Sequence, residues 1–424
     1  MVKSQKDVRC CLKIIFYSIF LFTFISVCIE SGLVHFTPYY LIKSEIFHKS
    51  QSARNIIFLQ PETKVFTKPE IILPERIKIL NVNKKFVNRF NHFQEKCDEF
   101  LNSSSSTPKI FEEGQNILKI ANFFPTDRAN FDPKHNLLYC FPPKSGTTNW
   151  NRLATSLYHE ISIKDLIEKY DLDYVYNSLP TLQKLAKMQE DSNEKFSGKS
   201  LSDLIDSDNN DIKSAILLSR HPLTRLYSSW GHRFSDVNPS HRIVFRPQIM
   251  KIKQKYQEID DYPQPKGIFV TFSSFLRFLI SDEAHDRGQG GLGNVHWLRV
   301  IDLCKPCELK NVYNFIVSLE TSEEDADIFL STVESQADNK LNFSQLVGKF
   351  PNAYYQDDKS DDKERLNLPN SKGEVPQTKD VGARIDGIKK YYREHVDSDL
   401  VRKIYEKYFW DFELFGYNLD GFIV

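Results

Sequence analysis

Six uncharged residues, Asn136–Phe141 (NLLYCF), run directly into Pro143-Lys144-Ser145-Gly146-Thr147-Thr148-Asn149-Trp150. An apolar run of this length, a short loop with one glycine and a helix-compatible stretch from the threonine pair describe a strand, a tight turn and a helix. That order constrains the fold, because a buried strand feeding a helix is the repeating unit of parallel sheets. A second run, Ser214–Ser219 (SAILLS), does the same: it leads into Arg220-His221-Pro222-Leu223-Thr224-Arg225-Leu226-Tyr227-Ser228-Ser229-Trp230, where Pro222 suits a helix's first turn. The rhythm starts near residue 131, so residues 131–424 are expected to form an α/β domain, a mostly parallel central sheet flanked by helices. Within it, residues 185–211 read as a polar excursion between the two strands and residues 354–386 as a mobile surface loop. Leu400–Phe415 regains helical spacing with many aromatics and reads as a final helix docked on the core. There is no internal repeat.

Ahead of the domain, Ile14–Ile29 is sixteen uncharged, mostly apolar residues, preceded by Lys3, Lys6, Arg9 and Lys13 against Asp7 alone. The flank predicts a cytosolic tail at 1–13, a transmembrane signal anchor at 14–29 and a lumenal remainder. A cleaved signal peptide is the competing reading, disfavoured because no Ala-x-Ala site follows. Cys10 and Cys11 beside the membrane are candidates for acylation. Residues 30–130 read as a lumenal stem and N-terminal extension, partly helical near 85–100, with a flexible loop at Asn102–Thr107.

Composition closes off several classes. Lys and Arg total 56 against 56 Asp and Glu, so there is no whole-molecule attraction to nucleic acid. With 41% hydrophobic residues and 16 glycines, the chain is neither globally disordered nor collagen-like. Cys97, Cys140, Cys304 and Cys307 would be lumenal and compatible with two disulfides in any of three pairings. Cys304-Lys305-Pro306-Cys307 has no second C-x-x-C or paired histidine at ligand spacing, which argues against zinc. Asn102 and Asn342 head glycosylation sequons. Nothing sets an oligomeric state.

The turn after NLLYCF aims backbone N–H groups and a helix N-terminus at an anion, with Lys144 as a point charge and the threonine hydroxyls as further donors. It is not a triphosphate P-loop, since G-x-x-x-x-G-K-[ST] is absent. In the second segment Arg220 falls at a strand end and Ser228 within the helix, a pair able to share one phosphate. Each segment alone also fits a plain turn or a capping arginine.

Together they are more specific. PKSGTTNW followed by R-x-P-x-x-R-L-x-S-S resembles sulfotransferases that use 3′-phosphoadenosine-5′-phosphosulfate, the first as their 5′-phosphosulfate loop and the second as their 3′-phosphate site. Asn294-Val295-His296-Trp297, the Cys304–Cys307 segment, Tyr313–Ile316, Glu320–Ala326, Phe272–Leu279 and Asp411–Tyr417 narrow the resemblance to the membrane-bound carbohydrate sulfotransferases of the HNK-1/chondroitin 4-O family, over roughly 130–420. Two positions depart from that pattern: His221 stands where the family usually has Asp, which predicts a weaker orientation of Arg220, and Thr147 stands where Golgi members often have Cys.

The resemblance implies a P-loop-kinase-like sulfotransferase fold in the Golgi membrane, moving a sulfuryl group to a sugar hydroxyl without a metal. Lys144, Ser145, Gly146, Thr147, Thr148 and Asn149 would take the phosphosulfate, and Arg220 and Ser228 the 3′-phosphate. Lys144 would stabilise the leaving phosphate. His296 and Glu320 are the candidate general bases. Between Arg220 and Lys255 there are eight Lys/Arg against Asp236 alone, which suggests a polyanion surface. Arg233, Arg242, Arg246 and Lys251 are therefore candidates for an anionic glycan or proteoglycan acceptor of the chondroitin type. The competing functions are a catalytically silent, membrane-anchored glycan binder and a phosphoryl-transfer enzyme, the latter disfavoured by the missing Walker signature.

Overall fold

The structure, a computed structural model, describes residues 84–103, 129–182, 214–234, 243–256, 270–288, 291–336, 346–348 and 381–424, with a few single positions beside them. The tail, the anchor segment 14–29, Arg242, Asn342 and most of the 185–211 and 354–386 segments lie outside the described residues. Among the described residues no helix is long and apolar enough to cross a membrane.

The chain enters with helix α1 (Lys84–Ser103), then β1 (Ala129–Asp132) and β2 (Leu137–Cys140), followed by α2 (Thr147–His159), α3 (Ile163–Lys169) and α4 (Leu172–Asn177). Next come β3 (Ser214–Ser219), α5 (Pro222–Arg233), α6 (Arg246–Lys255), α7 (Phe272–Ile280) and α8 (Val300–Cys304). The last elements are β4 (Phe315–Ser318), α9 (Ser322–Gln336), α10 (Val381–His395), α11 (Ser398–Lys407) and α12 (Phe409–Phe415).

The four strands form one sheet in the order β1-β2-β3-β4. β2, β3 and β4 are parallel, with Leu138 opposite Ala215 and Leu217 opposite Ile316. β1 is the antiparallel edge, which the sequence reading did not separate because ANFD is too short to show a period. Every strand residue is buried, as expected for a sheet covered on both faces. Alternate residues serve opposite cores. Leu138, Cys140, Leu217 and Ile316 meet α1, α8 and α12, whereas Tyr139, Ile216, Leu218 and Val317 meet α2 and α9. A third cluster gathers α5, α7, α10 and α11 around Trp297.

α1 belongs to this core rather than to a separate stem. Its Phe93 and Cys97 are fully buried, and Arg89 donates to Ile316 O (2.8 Å), Asp325 (2.7 Å) and Thr321 (3.1 Å). Of the three possible pairings the cysteines adopt Cys97–Cys307 and Cys140–Cys304, so both thiols of the C-x-x-C are taken up in disulfides. Asn102 is exposed in the last turn of α1.

Two boundaries are corrected. The segment expected as loop up to residue 386 is already helical from Val381, because Ile388 and Tyr392 dock α10 on the third cluster. The single final helix is two: the backbone turns at Tyr408, whose hydroxyl reaches Trp297 O while its carbonyl accepts from Asp411 N (2.8 Å).

Candidate active site

Ligands of parallel sheets bind beyond the carboxyl ends of the strands. Here the end of β2 leads into the Lys144 loop, that of β3 into Arg220 and that of β4 into Glu320.

The loop turns tightly because Lys144 (φ 73°) and Gly146 (φ 81°) are both left-handed. For a lysine this costs on the order of 1 kcal/mol. Gly146 is required twice over, since a Cβ there would also stand 2.8 Å from Leu319 Cδ1. Pro142 O accepts from Ser145 N (3.3 Å) and from Thr147 Oγ1 (2.7 Å). The Thr147 hydroxyl therefore ties the loop together, and what it can offer an anion is its backbone N–H in the first turn of α2. Thr148 Oγ1 shares a hydrogen bond with the Tyr176 hydroxyl of α4. Asn149 is buried. Ser145 is buried with no partner for its hydroxyl, an orphaned polar atom in the loop.

Arg220 is buried and fixed from two sides: Nε donates to Thr224 Oγ1 (2.9 Å) and Nη1 to Lys144 O (2.7 Å). The two motifs thus touch. Ser228 lies one turn beyond Thr224 on the same side of α5, half-buried. His221, which stands where the resemblance expects Asp, is engaged on both ring nitrogens. Its Nδ1 accepts from Leu223 N (3.3 Å) as the N-cap of α5, and its Nε2 donates to Asn418 O (2.8 Å). The ring stacks on Phe422 at 4.4 Å between centroids.

Burial holds the His221 imidazole neutral, with its pKa lowered from 6.5 to about 4, and does the same to His285. Both take up a proton on unfolding, so acidification from about 6.5 towards 4 favours the unfolded chain, by on the order of 3 kcal/mol for each. Asp411 opposes this: burial raises its carboxyl from 3.8 to about 6, so protonation within that window favours the fold. Two imidazoles against one carboxyl leave a net loss. The urea midpoint should fall steadily from pH 6.5 to 4.5, and His221→Asn, which keeps a cap acceptor, should remove most of the fall, because His285 and Asp411 then nearly cancel. A midpoint flat across that range would contradict the assignment.

Arg225, counted in the sequence as part of a basic surface, is fully buried and braces the site from beneath. Nε donates to Pro143 O (3.0 Å), and Nη2 to Val295 O (3.3 Å) and Leu298 O (2.8 Å). It joins the Lys144 loop to the segment carrying His296.

Lys144 is half-buried and its pKa is pushed well below the ordinary lysine value, first by desolvation and then by Arg233, Arg220 and Arg384. Three guanidinium groups thus repel the Lys144 ammonium, an arrangement that favours an anion. Arg384, on α10, was not among the sequence candidates. A lone arginine after a long polar segment carries no signal.

His296 is half-buried beside this cluster, with Arg233 Nη2 donating to its Nε2 and Ser229 Oγ to its carbonyl (2.6 Å). Glu320 has a structural role. Its Oε1 accepts from His221 N (3.1 Å), and its Oε2 from Ser318 Oγ and the Tyr417 hydroxyl (3.0 Å). Tyr417, the last residue of the family-like Asp411–Tyr417 segment, thereby locks the C-terminal segment to the end of β4.

Among the described residues the basic run does not form one surface. Arg220 and Arg225 are buried, and Lys251 (3.0 Å) and Lys255 (3.6 Å) pair with Glu283. Arg233 faces Phe245 and His296, and Arg246 is exposed at the start of α6. Only Arg233 of the acceptor candidates joins Lys144 among the described residues.

A family model described as the sulfotransferase family matches residues 127–418, which takes in the whole sheet and every loop at its carboxyl edge. The chain is similar to carbohydrate sulfotransferase 9 of Homo sapiens, 26% identical over 311 residues, or 70% of this chain and 54% of that protein. It is 25% identical to carbohydrate sulfotransferase 14 of Danio rerio over 291 residues, 68% of this chain and 61% of that one. With carbohydrate sulfotransferase 10 of Xenopus laevis the identity is 26% over 311 residues, 71% and 70% of the two chains. The match thus spans between 54% and 70% of these relatives' lengths. No solved structure gave a significant match.

Proposed function

The chain belongs to the sulfotransferase family, and from that premise we propose that it transfers a sulfuryl group from 3′-phosphoadenosine-5′-phosphosulfate to a sugar hydroxyl of a chondroitin-type glycosaminoglycan. The observation that carries the reading is the joining of the two anion-binding segments by the Arg220–Lys144 O bond, with Lys144 inside a cluster of guanidinium groups. In the reaction the acceptor oxygen bonds to sulfur as the bond from sulfur to the bridging phosphate oxygen breaks, and the hydroxyl proton passes to a base. Lys144 and the first-turn N–H groups of α2 take the charge appearing on the leaving phosphate. An anion among these cations also reverses the repulsion that lowers the Lys144 pKa, so the ammonium is charged when it is needed.

Arg220 and Ser228 hold the 3′-phosphate and so align the donor for in-line attack. Ser145 supplies the buried hydroxyl that otherwise lacks a partner. Arg233 meets the acid group of the acceptor, and in turning to it releases His296 Nε2 to act as the base. The compartment belongs to the same proposal: a Golgi type II protein anchored by residues 14–29, its domain lumenal and glycosylated at Asn102 and Asn342. Two disulfides support an oxidising compartment.

The test is transfer of labelled sulfate by the full-length chain to a panel of desulfated glycosaminoglycans and neutral glycans. Transfer to desulfated chondroitin is expected. Donor binding without transfer to any glycan would favour the catalytically silent relative, and absence of both would remove the enzymatic reading.

A further inference from the structure

We infer that Thr224 is a positioning residue of the donor site, its hydroxyl setting the Arg220 guanidinium that takes the 3′-phosphate. The inference rests on the proposed sulfotransferase reaction and adds to it a residue that acts through another rather than on the donor itself.

Thr224 stands in the first turn of α5, three residues after the N-cap His221, and is fully buried. Its Oγ1 donates to the His221 carbonyl (3.0 Å). A hydroxyl has one proton to give, so that bond points its lone pairs away from the carbonyl, and Arg220 Nε donates to the same oxygen (2.9 Å). Arg220 Nη1 meanwhile donates to Lys144 O (2.7 Å). Two acceptors at different edges of a planar group fix its plane as well as its place. The carbonyl that anchors Thr224 is itself held. His221 N donates to Glu320 Oε1 (3.1 Å) at the end of β4, and His221 O also accepts from Arg225 N (3.0 Å). An unbroken series of hydrogen bonds therefore runs from β4 through the His221 backbone, Thr224 and Arg220 to the Lys144 loop.

The His221 side chain takes no part in that series, since its ring is engaged with Leu223 N and Asn418 O. Thr224 and Ser228 are one turn apart on one side of α5, so Thr224 holds the guanidinium on the face that carries the second proposed phosphate ligand. A long arginine side chain loses rotamer freedom when it grips an anion, and an orienting partner in the empty protein takes that loss beforehand. Thr224 is neutral, so it steers the guanidinium without offsetting its charge. A carboxylate in its place would pair with the guanidinium and compete with the phosphate.

The experiment compares the full-length chain with Thr224→Val, Thr224→Ser, Arg220→Gln and the Arg220→Gln/Thr224→Val double variant, by calorimetric titration with adenosine 3′,5′-bisphosphate and by steady-state transfer. Thr224→Val keeps the side chain's shape and loses the hydroxyl, whereas Thr224→Ser keeps the hydroxyl and loses the methyl group. Thr224→Val should weaken bisphosphate binding and raise the donor KM about tenfold, with the acceptor KM within about twofold. Thr224→Ser should recover most of the loss. In the Arg220→Gln background Thr224→Val should cost little further affinity, because the group it steers is gone. A packing role would reverse the order of Val and Ser and cost the same in both backgrounds. Bisphosphate affinity unchanged in Thr224→Val, or an equal loss with Arg220 present and absent, overturns the inference and leaves the proposed reaction standing. Failure of the unaltered chain to bind bisphosphate removes both.

Discussion

Lys144→Ala is expected to lower kcat for sulfate transfer by about 10²–10³-fold, the usual effect of deleting one group that stabilises charge in a transition state. The same change should leave the fold as stable as before or slightly more so. The ammonium is desolvated and faces Arg233, Arg220 and Arg384, so deleting it relieves like-charge repulsion in the empty protein. The backbone at residue 144 is left-handed with either side chain, so strain is not relieved and does not confuse the comparison. Activity and stability should therefore separate, as they do where a site is built at the expense of the fold. Single-turnover rates with saturating donor, set beside thermal midpoints, make the test. A midpoint falling by several degrees together with the rate would show that Lys144 acts through the fold instead.

Arg225→Met is expected to do the reverse and remove structure first. The change strips Pro143 O, Val295 O and Leu298 O of their buried donor and leaves Asp411 without the positive charge that counters its desolvation. Breaking such a buried charged network costs about 3–5 kcal/mol. Donor binding should be lost along with stability, because the loop carbonyl at Pro143 and the His296 segment are held by one guanidinium. Arg225→Lys should recover little, since an ammonium cannot span carbonyls on two segments. Urea unfolding of the three proteins is the measurement, and an Arg225→Met midpoint matching the unaltered chain would refute the bracing role.

Arg220 and Arg225, five residues apart, show what the sequence revealed and where it stopped. The strands SAILLS and NLLYCF, the helix start at Thr147 and Pro222 at the first turn of α5 were all legible, because local apolar runs and turn residues encode them. So were the positions of Lys144 in the loop after β2 and of Arg220 at the end of β3. Arg225 was misread as surface because charge is visible in a sequence and burial is not. Arg384 was missed because its repulsion of Lys144 exists only once α10 folds onto α5 through Tyr391 and Tyr392. His221, at a family Asp, was read only for its effect on the orientation of Arg220. Only the structure shows a ring nitrogen serving as the N-cap acceptor.

The disulfides have a consequence for how the molecule would come apart. Both bridges run from the part of the chain before residue 141 to the Cys304–Cys307 turn. A protease cut anywhere between Cys140 and Cys304 would leave two pieces that still travel together until a reductant is added. A cut after Cys307 has no such safeguard. A cut between Cys307 and Arg384 would free a C-terminal piece bearing Arg384, Asp411 and Tyr417, held to the rest by noncovalent contacts alone, among them the Lys96–Glu413 and Lys407–Asp282 ion pairs. The same single nick would thus be silent on one side of the C-x-x-C and, on the other, would detach the helix that carries Arg384.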